Sequence, residues 1–273
     1  MVTFSEGIAM RPLPFTTCIA LTLTIVTLAR AEQISVPGTG DGMEMLRAVA
    51  AAYAADNLGT SIVVPPSTGS GGGVIAVAQD RAPLGRIAVP LSTSEEAAGL
   101  TAVTIVRLPL AFYAHPSAGV SELTSAQLVG IYDGTIANWK EVGGANLRIK
   151  VVRREEKDST LVVLRSTLSG WKDLKFSDRS KLAVTTQDSL DSVRQTEGAI
   201  GFGPFSETRG YGFIVFRIDG KYPTEPDYPS FNRLRLIYKP ATVTPEAKKF
   251  IEFAKSPKAR QMYMDFGGVP DTE

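Results

Sequence analysis

Apolar positions along the chain keep two different periods. Between residues 43 and 56, Met45, Leu46, Val49 and Tyr53 recur at three- and four-residue spacing, one face of a helix. Residues 60–64 (TSIVV) are β-branched and stop at Pro65-Pro66, as a strand does. The same reading predicts strands at 33–37, 84–89, 102–113, 148–152, 199–202, 213–218 and 234–238. It predicts helices at 74–79, 125–132, 160–168, 188–196, 245–254 and 257–266. Thr124 is placed to cap the helix at 125–132, and Asp133-Gly134 ends it as a turn. Strands alternate with helices and no segment repeats, which predicts an α/β fold with largely parallel sheets.

The first residues follow neither period. Residues 13–28 are almost all apolar or Thr and carry no charge, with Arg11 before them and Ala29-Arg30-Ala31 after. That is a signal peptide over 1–31, cleaved after Ala31, and it predicts a periplasmic or secreted protein. Met10-Arg11 opens a more regular leader than Met1, whose first residues include Glu6. The apolar run is short and Thr-rich for a membrane span, and nothing later resembles one, so the mature protein is not expected to span a membrane. Cys18 follows Thr17 rather than the small residue a lipidation site needs.

Composition narrows the chemistry. The chain has 273 residues, with 29 Lys and Arg against 28 Asp and Glu. Cleavage would remove Arg11, Arg30 and Glu6 and leave 27 against 27. No bulk field draws nucleic acid, so any anion specificity has to be local. One His and one Cys exclude thiolate zinc sites and His clusters, and no cofactor is expected.

One arrangement recurs three times: a strand, a small polar loop, then a helix. The loops are 38–42 (GTGDG), 67–73 (STGSGGG) and 157–160 (KDST). Each sets unpaired backbone N–H groups and the positive end of a helix dipole at a strand's carboxyl edge, where anions bind. Asp41, Ser70 and Asp158 are also favoured N-cap types. The glycine run at 69–73 suggests close backbone approach to a ligand. Known phosphate motifs do not fit. Met43 stands where a dinucleotide fingerprint needs its third small residue, and there is no Gly-Lys-Ser/Thr and no G-x-S-x-G. His115, beside Pro116-Ser117, reads as a surface or locally bonded residue. The cluster Arg153-Arg154-Glu155-Glu156-Lys157 leads into the third loop, so an arginine there can reach the same site.

Several stretches resemble phosphate-type periplasmic binding proteins of ABC transporters. They are LTSAQLVGIYDGTIANWKEVGG at 123–144, VVRREEKDST at 151–160 and QTEGAIGFGPFS at 195–206. The glycine run with GVIAVAQDRAPLGRIAVPLS resembles the second ligand loop, and FIEFAKSPKARQMYMDFGGVP resembles the C-terminal helix and end. The resemblance implies a two-lobed type II periplasmic-binding-protein-like fold. Each lobe is a mainly parallel sheet flanked by helices, and two hinge strands cross between the lobes. Residues 32–112 with 211–273 would form one lobe and 113–210 the other, with the second crossing near 207–212. It places Thr39, Gly40, Asp41, Ser70, Gly71, Arg154, Asp158, Ser159 and Thr160 at the ligand.

The chain departs from that family twice. Residues 83–88 lack the family's proton-accepting carboxylate, and Arg86 stands there. Asp158 takes the place of a serine. Asp41 or Asp158 is then expected to accept the ligand proton, with Arg86 and Arg154 balancing the charge. The resemblance implies a monomer, not an enzyme, that captures phosphate or a related oxyanion for ABC permease subunits. A phosphoester hydrolase using Asp41 or Asp158, and a ligand-sensing module on the same fold, are the other readings.

Overall fold

The computed structural model describes residues 1–3, 32–225 and 227–271. Most of the expected leader, with its cleavage point at Ala31, lies outside the described residues. Strand β1 (Glu32–Ser35) runs parallel to β2 (Thr60–Val63), and helix α1 (Met43–Asp56) makes the crossover. Met45, Leu46, Val49 and Tyr53 of α1 are buried, as their spacing requires. Helix α2 (Gly69–Ala78) leads to β3 (Gly85–Ile87), and α3 (Thr93–Ala97) to β4 (Thr101–Ala114).

Strand β4 belongs to both halves of the molecule. Residues 101–109 pair antiparallel with β11 (Phe231–Tyr238), and residues 110–114 with β8 (Ala199–Pro204). Beyond β8 lie β6 (Lys150–Arg154) and β7 (Lys181–Ala183), giving the order β3-β11-β4-β8-β6-β7. Strand β9 (Ile214–Val215) also pairs with β4, while β5 (Glu122–Leu123) and β10 (Arg217–Ile218) form a small parallel pair. The pairs β1/β2, β6/β7 and β6/β8 are parallel, and the edge pair β3/β11 is antiparallel. The central pairs are antiparallel, because the chain crosses between the halves and returns. Helices α4 (Ser125–Asp133), α5 (Ser159–Thr167), α6 (Thr186–Arg194), α7 (Pro245–Ala254) and α8 (Pro257–Asp265) complete the chain. Thr124 caps α4 in a reciprocal box with Gln127, and Gly134 ends it with φ 89°.

Two main hydrophobic cores result. The first draws on residues 34–108 and 234–263, with Tyr53 edge-on to Phe250 at 5.4 Å. The second draws only on residues 110–218, where Phe112 meets Trp171 at 5.2 Å and Tyr132 at 5.9 Å. Phe216 and Ile218 belong to this second core, past the crossing expected at 207–212. Strands β9 and β10, on either side of Phe216, pair with β4 and β5, so the chain returns to the first core only after Ile218. Among the described residues no helix is long and apolar enough to cross a membrane.

The segment after β1 is held against β3. Gly38 pairs with Arg86 at φ 143°, and a Cβ there would lie 1.9 Å from the Arg86 carbonyl oxygen. Only glycine allows that approach.

Candidate functional site

Four strand-to-helix segments converge on one cavity of about 220 Å³. Thr39 and Gly40 follow β1, and Ser67, Thr68 and Gly69–Gly72 lead into α2. Arg154, Glu155, Lys157, Asp158 and Ser159 join β6 to α5, and Val184 and Thr186 join β7 to α6. Two segments come from each side, all at strand carboxyl ends. The sequence pointed to three of them. The fourth was missed because α6 starts at Thr186, two residues before its apolar spacing shows.

The glycine run is not a loop. It forms the first turn of α2, with Thr68 in the N-cap position, so Ser70 is not the cap. Gly73 faces the sheet, where a Cβ would lie 2.9 Å from the Arg86 carbonyl oxygen and 3.0 Å from Gly38 Cα. Gly71 faces open space, leaving the helix N-terminus uncovered on the cavity side. Ser70 Oγ accepts the Ala88 N–H at 3.1 Å, which leaves its own proton to donate to a ligand.

Asp158 has two roles. It caps α5 by accepting the Leu161 N–H at 3.1 Å. Its other oxygen accepts Arg154 Nε at 3.1 Å and Nη2 at 2.6 Å. Arg154 also donates Nη1 to the Ala183 carbonyl at 3.2 Å, so two of its five N–H donors remain for a ligand. Burial works against the guanidinium charge, but Asp158 and Asp41 hold its pKa above the ordinary value.

Asp41 caps nothing; Gly42, with φ 67°, is the N-cap of α1. The Asp41 carboxylate is buried behind the cavity wall. It accepts Ser159 Oγ at 2.7 Å, Thr186 Oγ1 at 2.9 Å and Asn232 Nδ2 at 2.7 Å. Burial and the charge of Asp158 raise its pKa against the effect of these donors. Thr160 stands in the same layer, within 3.4 Å of Asn232 Nδ2.

Arg86 is the clear departure from the sequence reading. It does not line the cavity. Its side chain is fully buried, and it donates to the carbonyls of Thr39 at 2.6 Å, Pro65 at 2.8 Å and Val36. It fixes the backbone beneath the first two segments instead of meeting a ligand. Burial and the nearby charge of Arg47 lower its pKa to about 10, still charged at neutral pH.

A buried polar layer continues behind Gly40. Gln187 Nε2 reaches the Gly40 carbonyl at 3.3 Å and Glu207 Oε2 at 3.4 Å. Glu207 Oε1 is buried without a partner, and burial with Asp41 and Glu44 raises its pKa to about 8. His115 lies elsewhere, its Nδ1 2.8 Å from Ser117 Oγ in a local turn. Among the described residues no group of three His, Cys, Asp or Glu could hold a metal.

The model of the PBP superfamily domain matches residues 27–258. The chain belongs to this superfamily. It is 27% identical over 257 residues to the phosphate-binding protein PstS of Bacillus subtilis (strain 168), across 88% of this chain and 81% of that one. A Clostridium perfringens ABC transporter substrate-binding protein solved with bound phosphate shares 25% identity and a TM-score of 0.79, over 88% of this chain and 100% of that chain. An ABC-type phosphate transport receptor from Vibrio cholerae, 22% identical, matches in fold with a TM-score of 0.62, over the same shares of each chain.

The two cores are therefore the two lobes of a PBP fold, and the cavity lies between them. Thr39, Gly40, Ser70, Gly71, Arg154, Asp158 and Ser159 line it, and Asp41, Arg86 and Thr160 do not. Thr186 and Asn232 were missed. Each is joined to Asp41 only through the fold, 145 and 191 residues away in the chain.

Proposed function

We propose that this PBP captures phosphate or a closely related tetrahedral oxyanion outside the cytoplasm and hands it to ABC permease subunits. The observation that carries this is the convergence of three helix N-termini, that of α2 without a side-chain cap, with hydroxyl side chains and Arg154 on one cavity between two lobes. The names of the relatives support the choice of phosphate. The role is capture without turnover, by a monomer that holds the solute between two lobes, 32–112 with the C-terminal segment and the inserted middle segment. Residues 1–31 would direct export and be removed after Ala31.

The cavity lining is balanced, with Arg154 and Lys157 against Glu155 and Asp158. Selection then rests on hydrogen bonds. Of the two candidate acceptors, Asp158 lines the cavity and Asp41 does not. A carboxylate there takes the proton of phosphate and finds none on sulfate.

Calorimetric titration of residues 32–273 with phosphate, sulfate, molybdate and phosphonate tests this. Phosphate should bind best. Asp158→Asn keeps a capping side chain and should cut the preference for phosphate over sulfate on the order of tenfold or more. Failure of all four anions to bind would sink the proposal. An unchanged preference in the variant would remove Asp158 from the acceptor role.

A further inference from the structure

We propose that Asp41 is a built-in anion that clasps the two lobes together when no solute is bound. It stands between Gly40 and Gly42 on the segment leaving β1, a first-lobe strand. Two of its three donors are the first residues of second-lobe helices, Ser159 of α5 at 2.7 Å and Thr186 of α6 at 2.9 Å. The third is Asn232 of β11 at 2.7 Å.

This is the donor set of an anion site, two hydroxyls at helix N-termini and an amide, and a protein carboxylate already fills it. Asn232 shows that its orientation serves the carboxylate. Its Nδ2 faces Asp41, and its own Oδ1 is left buried without a partner. The three side-chain donors to Asp41 are uncharged, so it is not there to pair with a cation. Ser159 and Thr186 both line the solute cavity, so the clasp and the site share two side chains.

The consequence concerns closure. A binding protein of this shape normally spends solute binding energy to bring its lobes together. Here two bonds across the cleft, from Ser159 and Thr186, hold the lobes without solute, and a solute enters a cavity that is already shaped. The inference does not depend on which anion binds.

The test compares ligand-free residues 32–273 with Asp41→Asn, Asp41→Ala and Thr186→Val, using small-angle scattering and amide hydrogen exchange, each with and without phosphate. Ligand-free wild type should match its phosphate-loaded profile. The variants should expand without phosphate and show roughly tenfold or more faster exchange at the starts of α5 and α6. Should Asp41→Ala not fold, Thr186→Val removes one of the two cross-lobe bonds from the opposite lobe with little change of shape. Variants as compact and protected as wild type would overturn the clasp, as would a ligand-free wild type already expanded to the same degree. Absence of phosphate binding would count against the proposed solute and leave the ligand-free comparison to decide the clasp.

Discussion

Arg86→Leu is expected to destabilise the mature protein by about 4 kcal/mol, because three buried carbonyls lose their donor at once and each orphaned group costs roughly 1–3 kcal/mol. The carbonyls are those of Val36, Thr39 and Pro65, which belong to the two first-lobe segments under the cavity. Leucine fills part of the volume and donates nothing. Arg86→Lys should recover a minor part, since one ammonium cannot spread to three carbonyls as the guanidinium fork does. Urea unfolding of residues 32–273 measures both. A leucine variant of wild-type stability that had lost anion binding would return Arg86 to the ligand.

Glu207→Gln should have the opposite sign, and its effect should depend on pH. In the folded chain Glu207 keeps its proton up to a pKa of about 8, against an ordinary value of 4.5. The folded state therefore holds a proton that the unfolded state has released throughout that window. Stability falls as pH rises from 4.5 to 8, by about 4 kcal/mol in total at 1.36 kcal/mol per unit. Glutamine keeps the shape of the protonated acid and has no proton to lose. Thermal melts should show the variant several degrees more stable than wild type at pH 8 and nearly equal at pH 4.5. Equal melting temperatures at pH 8 would mean that Glu207 is not held protonated by the fold.

The longer strands and helices were legible because burial follows period, while the short α3, β5 and β7 were not. The buried face of α1 and the start of β4 are where the spacing puts them. Helix α2 began five residues early, because glycine disfavours helix interiors and a propensity reading stops there. Tight packing of Gly73 on Gly38 and Arg86 overrides that preference. At the site, residues within a strand-to-helix segment were legible, since one short stretch carries strand end, hydroxyls and helix start. Arg86 was misplaced because sequence shows a charge and not the direction of its side chain. The donors to Asp41 were invisible for another reason: Ser159, Thr186 and Asn232 stand 118, 145 and 191 residues from it. Glu207 and Gln187 carry no motif, and only the fold buries them.

The second core is wholly contained within the gap in the first. Its residues, 110–218, are all present before the chain reaches β11, α7 and α8. The first core needs Leu234, Phe250 and Tyr263 to cover Ile34 and Leu46. Contacts of such long sequence separation form slowly, because the loop between them must be closed first. Acquisition of structure should therefore run from the middle of the chain outward. Pulse-labelled refolding should protect β6 and β8 before β1 and β2, and the reverse order would refute it. A polypeptide emerging from its N-terminus then exposes an unfinished β1–α1 unit until its last elements arrive.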